Sequence, residues 1–256
     1  MRRALFLALL FSTAAEAAAR DFAFTWDSQT LEKGKAQPFF ELTPRAGRAD
    51  YYARFDSNGG AILGITDLLE LHLQLDTAFD FSGQPPVISG FGRVTTQWRY
   101  HFLPKTDALG FAAHVKLSLG FEDLNVGGRF IVDYRASSIR LAFNAAFERK
   151  IGFKDQLGVT MRAEESMALG YALKNTLTPA LEFSAQQSMT DEKFIGSAFF
   201  FGGSLTYKPQ WGWFSLGMMV QAAAVKGEAD VGNGEKLEVR DHERFLFRFG
   251  IGVNAI

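Results

Sequence analysis

Large apolar residues recur at every second position along this chain, over stretches too long for an ordinary soluble strand. Leu109, Phe111, Ala113, Val115, Leu117, Leu119 and Phe121 share one face, and Ala112, His114, Lys116, Ser118 and Gly120 lie between them. Ile139, Leu141, Phe143, Ala145 and Phe147 alternate with Arg140, Ala142, Asn144, Ala146 and Glu148. Phe245 to Val253 and Leu69 to Phe79 repeat the pattern. Soluble strands average about 5–6 residues, whereas a tilted strand crossing a bilayer needs about 9–11. A soluble sandwich alternates in the same way but in shorter strands. The long runs therefore predict an all-β fold, a transmembrane antiparallel up-and-down barrel with its apolar face on lipid and its polar face in the lumen.

Twelve such stretches are predicted: 35–44, 51–65, 68–81, 91–103, 109–122, 127–135, 138–149, 157–173, 177–188, 195–207, 211–225 and 243–255. Those at 51–65 and 157–173 are long enough to contain a bulge or to be two short strands each. Turn-forming residues close alternate connections: Thr66-Asp67, Pro104 to Asp107, Ala136-Ser137, Lys174 to Thr176, and Lys208 to Gln210. Most of the others are longer, the longest being the polar, glycine-containing 226–242. Short periplasmic turns and long outer loops are the rhythm of an outer-membrane barrel, and an even count puts both termini at the periplasmic side. Trp98, Tyr100, Phe102, Tyr171, Tyr207, Trp211 and Trp213 cluster near the predicted short turns, as an aromatic belt at headgroup level requires.

The first residues read as an address. Met1-Arg2-Arg3 is positive, Ala4 to Phe11 is apolar, and two A-x-A sites follow at Ala15–Ala17 and Ala17–Ala19. That order predicts a signal peptide over 1–17, with a second cleavage option after 19, and a single barrel domain over 18–256. The apolar run is too short for a helical span. The remaining composition excludes other classes. The chain has no cysteine, so it has neither a disulfide framework nor thiolate chemistry. A net charge of −1 argues against nucleic acid as a partner.

Parity assigns the lumen-lining set: Glu70, His72, Asp76, Arg93, Arg99, His101, His114, Lys116, Arg129, Asp133, Arg135, Arg140, Glu148, Arg162, Glu182 and Arg248. Eight are basic and five acidic. The excess suits a preference for anionic solutes. The same residues suit a network of paired charges that braces the wall, since buried charges are normally paired. No catalytic, cofactor or metal site is predicted. His114 and Ser118 lie on one strand, but four residues is ~13–14 Å of strand, too far for a base and its nucleophile. His101 is expected to face His114 on the neighbouring strand, but a lone pair of histidines is more often wall than metal ligand.

Thr30-Leu31-Glu32-Lys33-Gly34 precedes the first strand, and Gly64-Ile65-Thr66-Asp67-Leu68-Leu69-Glu70-Leu71 forms the first short hairpin. Together they resemble a group of bacterial outer-membrane β-barrel proteins similar to the MetA-pathway of phenol degradation outer-membrane family. The chain departs from many outer-membrane barrels in ending Val253-Asn254-Ala255-Ile256 rather than in an aromatic residue. The resemblance implies an outer-membrane barrel and small-molecule transport, and it carries over no site residue. The expected function is a porin-like passive channel or transporter, monomeric, with no cofactor. Its expected partners are outer-membrane lipid, the barrel-assembly machinery and small solutes. The alternative is a structural barrel that binds partners through its outer loops, with 226–242 foremost.

Overall fold

A computed structural model describes residues 20–255 except 49–52, 83–86, 104–107, 154–159, 175, 192, 228–236 and 238–241. The predicted signal segment, the Pro104 to Asp107 turn and most of the 226–242 loop lie outside the described residues.

Twelve strands close on themselves: β1 (Ala36–Ala46), β2 (Ala53–Gly64), β3 (Leu69–Ser82), β4 (Val87–His101), β5 (Leu109–Gly120), β6 (Asp123–Ala136), β7 (Ile139–Gly152), β8 (Met161–Tyr171), β9 (Leu177–Met189), β10 (Phe194–Tyr207), β11 (Gly212–Lys226) and β12 (Phe245–Val253). Each pairs antiparallel with its neighbours in sequence, and β1 closes the ring on β12 from Phe39↔Gly252 to Ala46↔Phe245. Closure leaves no free sheet edge, so every strand finds its ladder partners inside the protein, as hydrocarbon demands. The start of β1 and the end of β12 lie with the short turns at one end of the barrel, where Ala36 bridges to Ala255. This is called the turn end below, and the opposite end the loop end.

The outer wall is greasy. Leu73, Leu75 and Phe79 on β3, Val115, Leu117 and Leu119 on β5, Leu141, Phe143 and Phe147 on β7, and Phe245 and Phe247 on β12 are all exposed. Phe111 is half-buried beside outward-facing Phe130, with ring centroids 6.3 Å apart. Exposed apolar area on this scale around a closed sheet is a surface made for acyl chains. Trp98, Tyr100, Phe102, Tyr171, Tyr207 and Trp211 stand exposed toward the turn end.

Several details depart from the sequence reading. Trp213 does not join the outer belt. Trp211 sits in the turn, where strand parity does not hold, and Trp213 points inward, 2% exposed, donating Nε1 to Gln37 Oε1 at 3.1 Å. Gly252 makes room for it, since a Cβ there would stand 2.2 Å from Trp213 Nε1. β6 begins at Asp123 rather than 127, because Asp123 to Val126 continue the ladder opposite Arg149 to Gly152 and Gly127-Gly128 do not interrupt it. The β5–β6 connection is thereby reduced to Phe121-Glu122. β4 starts at Val87 rather than 91. β2 runs without a register shift, whereas β10 and β11 carry one at Phe199/Phe200. Ala222 is left without a partner across the ladder there, the extra residue of a bulge.

Leu75, mid-strand and outward, tests the lipid-facing wall. Leu75→Arg is expected to cost about 2–4 kcal/mol in urea-driven unfolding from lipid vesicles. An unchanged unfolding midpoint would mean that this face does not meet hydrocarbon.

Candidate functional site

The lumen is occupied from the turn end by the chain's own residues 20–35. Before β1 the chain reverses in a turn at Glu32 to Lys35, with Gly34 in the left-handed region at φ 76°. It then runs back inside the barrel without joining a sheet. Its backbone N–H groups therefore need acceptors from the wall. Glu182 on β9 supplies them for Ala23, Phe24 and Thr25, at 2.9, 3.0 and 2.7 Å. Asn144 on β7 clasps Trp26 from both sides, Oδ1 accepting its N–H at 2.9 Å and Nδ2 donating to its carbonyl at 2.8 Å. Asp133 on β6 accepts the Ser28 N–H, and Glu70 on β3 accepts the Leu31 N–H at 2.7 Å.

The side chains of the segment are seated just as firmly. Phe22 packs with Ala142 and Ala168, and Phe24 with Ala198, Phe200, Met219 and Leu246. Small wall residues make these seats: a Cβ on Gly170 would stand 2.9 Å from Phe22, and one on Gly217 2.6 Å from Phe24. Trp26 stacks on His72 and His114, with ring centroids 5.5 and 5.3 Å away. The guanidinium of Arg20 lies 4.0 Å from its ring centroid.

The two sequence motifs singled out above dock on each other. Thr30 Oγ1 donates to the Asp67 carbonyl at 2.8 Å, and the Lys33 N–H to Asp67 Oδ1 at 3.1 Å. Gly64 lets the segment pass close to the wall, since a Cβ there would fall 1.9 Å from the Glu32 carbonyl oxygen.

The sixteen predicted lumen positions fall into groups along the barrel. Toward the turn end, Glu70 bonds His72 and pairs with Arg99, both at 2.5 Å, while Arg99 donates to the Asp27 carbonyl at 2.9 Å. Arg135 reaches Asp27 at 3.4 Å, Asp21 at 3.6 Å and Asp133 at 3.7 Å, and Arg140 reaches Asp21 at 3.8 Å. Glu182 holds the segment as described, and His101 is buried. Toward the loop end, Arg93 forks onto Asp123 at 2.9 and 3.1 Å, Lys116 pairs with Glu148 at 2.7 Å, and Asp76 accepts from Thr95. Arg129 and Arg248 stand between the two levels, and Arg162 is exposed to the space above them.

The structure does not bring the histidines together as expected. His114 lies opposite Arg99, and His101 opposite Ala112, because the β4–β5 register is set two residues from a histidine pair. Ser118 Oγ bonds Thr95 Oγ1 at 2.5 Å, and His114 lies under Trp26. Among the described residues, no group of three or more His, Asp or Glu is arranged to hold a metal ion.

Above the segment is a cavity of about 360 Å³, lined by Phe24 and Trp26 below and by charged wall residues around it. It shares Arg93, Glu148 and Arg162 with a second space of about 690 Å³ nearer the loop end. His242, on the β11–β12 connection, is buried in the wall of the first. Burial pushes its pKa down to about 4, with Arg162, Arg48 and Arg45 adding to the effect against Glu243. Neutral when buried, the ring refuses a proton that a solvated imidazole accepts near its ordinary 6.5.

Residues 20–35, with Asn144, were not foreseen as part of the site. The available signal was Trp26, the only tryptophan remote from any predicted turn.

No protein-family model and no curated protein sequence matches the chain. Solved structures do. An outer-membrane channel from Pseudomonas putida F1 superposes with a TM-score of 0.65 at 10% identity, over 90% of this chain and 98% of that one. The NanC porin gives 0.56 at 10% identity, over 84% and 98%. LpxR from Salmonella typhimurium gives 0.50 at 10% identity, over 85% and 99%. At such identities the likeness is one of fold.

Two outcomes are expected. Glu182→Gln exchanges one of two accepting oxygens for an amide donor and leaves a backbone N–H of Ala23 to Thr25 unpaired, which costs about 1–3 kcal/mol when the donor is buried. Amide exchange at Ala23 to Thr25 should accelerate by about tenfold or more, read by mass spectrometry. Separately, NMR titration should place His242 near pH 4. Burial of His242 should weaken as pH falls from 6.5 toward 4, and a titration near 6.5 would show the ring to be solvated.

Proposed function

We propose that the protein is a monomeric outer-membrane channel for small solutes, with passage at the turn end governed by residues 20–35. The observation that carries this reading is the polar, water-accessible space leading down to that segment, which closes the lumen through bonds to the chain's own wall. Twelve strands enclose more room than the eight of a side-chain-filled barrel and less than the sixteen to eighteen of a wide porin. The architecture shared with a bacterial outer-membrane channel and a porin supports the same reading. So does the resemblance to the MetA-pathway of phenol degradation group, whose two motifs here form the dock of the segment. The fold alone does not choose a function, since one architecture hosts many.

The wall also supports a preference for anions. Arg45, Arg54, Arg93, Arg129, Arg162 and Arg248 all face the space above the segment. Rings of such residues draw anions and repel cations. Lipid is the partner of the outer wall, and the assembly machinery of the outer membrane is expected to insert it.

Planar-bilayer conductance tests the proposal. The intact protein should conduct weakly, and deletion of residues 20–31 should raise conductance severalfold, with anions favoured. Silence from both forms, each correctly folded, would overturn the channel and favour a barrel acting through its loops.

A further inference from the structure

Most cations around the cavity above the segment are matched to carboxylates. Arg20 pairs with Glu41, Arg45 and Arg54 with Asp56, and Lys116 with Glu148. Arg129, Arg162 and Arg248 are not so matched; Arg162 is exposed nearer the loop end, and Arg129 and Arg248 lie against the segment. Arg129 donates to Asn144 Oδ1 at 3.1 Å and stands 5.4 Å from the Trp26 ring centroid. Arg248 donates to Thr43 Oγ1 and to the Ala23 carbonyl, both at 3.2 Å, and lies 4.8 Å from the Phe24 ring centroid. Among the described residues neither has a carboxylate within ion-pair distance. They approach the same space from β6 and β12, on different sides of the barrel, and each lies within the other's electrostatic reach. Glu164 and Glu148 lie within electrostatic reach of Arg129 but not in contact with it, so two half-buried guanidinium groups face one space with no carboxylate bonded to either, an arrangement that an anion would complete. Each presents a planar fork of donors that suits a carboxylate or a phosphate.

We propose that the space between Arg129 and Arg248, on the loop-end side of the N-terminal segment, binds the oxyanion of a small solute, a carboxylate or a phosphate. About 360 Å³ is the size of a small-ligand pocket. The site is coupled to the segment because the same donors serve both. Arg248 bonds the Ala23 carbonyl, and Arg129 bonds the Asn144 oxygen that accepts the Trp26 N–H. An anion that draws these donors to itself competes with the bonds that hold residues 23–26. The coupling deepens the channel reading and rests on it, while the binding site does not.

Calorimetric titration of the folded protein, in a detergent with an uncharged headgroup and at fixed chloride, separates the outcomes. Inorganic phosphate and acetate are the probes. At least one should bind saturably, and the Arg129→Gln/Arg248→Gln double variant should bind it about tenfold more weakly or worse. Arg149→Gln, on the outer face, should bind as the parent does. If the double variant does not fold, Arg129→Lys and Arg248→Lys keep the charge and lose the fork, and each should weaken binding severalfold. Absence of saturable binding by either probe overturns the site, as does parental affinity in the Lys variants or in a folded double variant. Preference for one probe identifies the chemistry. In the parent, a bound probe should also speed amide exchange at residues 23–26, and unchanged exchange overturns the coupling. Binding in a protein that conducts nothing sinks the channel alone, and conduction without binding sinks the site alone.

Discussion

Peptide groups that meet no water must find partners in the protein, and this one constraint operates twice in the molecule. In the wall it is met by closure, β1 on β12, so that each strand exchanges its hydrogen bonds with two neighbours. In the lumen it is met by side chains. A stretch of backbone lying inside a closed sheet has no ladder to join, and four wall residues stand in for one: Glu182, Asn144, Asp133 and Glu70. Removing any of them would leave buried donors unpaired, which costs more than the lost bond alone.

The charge pattern of the interior follows from the same seats. Two of the wall carboxylates that accept backbone N–H groups are answered by arginines, Arg99 at Glu70 and Arg135 at Asp133, while Glu182 is held by the backbone N–H groups of Ala23 to Thr25. The network reading and the anion-attracting reading of the lumen thus describe different levels of one barrel. Near the turn end the charges are occupied with one another and with the segment. Above Phe24 and Trp26 most cations are again paired, and Arg129 and Arg248 face the space with no carboxylate bonded to them.

The wall was legible in the sequence because period-two alternation is a local signal, and a bilayer enforces it on every strand. Errors arose where local signals mislead. Gly127-Gly128 reads as a strand start but sits within the β6 ladder, held by neighbours on both sides. Trp213 shares parity with Trp211, yet only one of them is in a strand. The segment inside the lumen was not legible, because its placement depends on residues more than a hundred positions away. Trp26 meets Asn144, and Ala23 meets Glu182. Its two motifs were visible as words, but the sentence they form, Asp67 taking the Lys33 N–H and Gly64 admitting Glu32, exists only in three dimensions.

The reversal at Gly34 has a topological consequence. A Cβ at that glycine would touch nothing within 4 Å, and its backbone already sits where glycine turns at least cost. The segment enters through the same mouth by which it would leave, so withdrawal needs no seam of the cylinder to unzip and no strand to change register. Gly34 joins the shell to the segment folded into it, with its own N–H bonded to the Gly64 carbonyl of the wall at 2.8 Å.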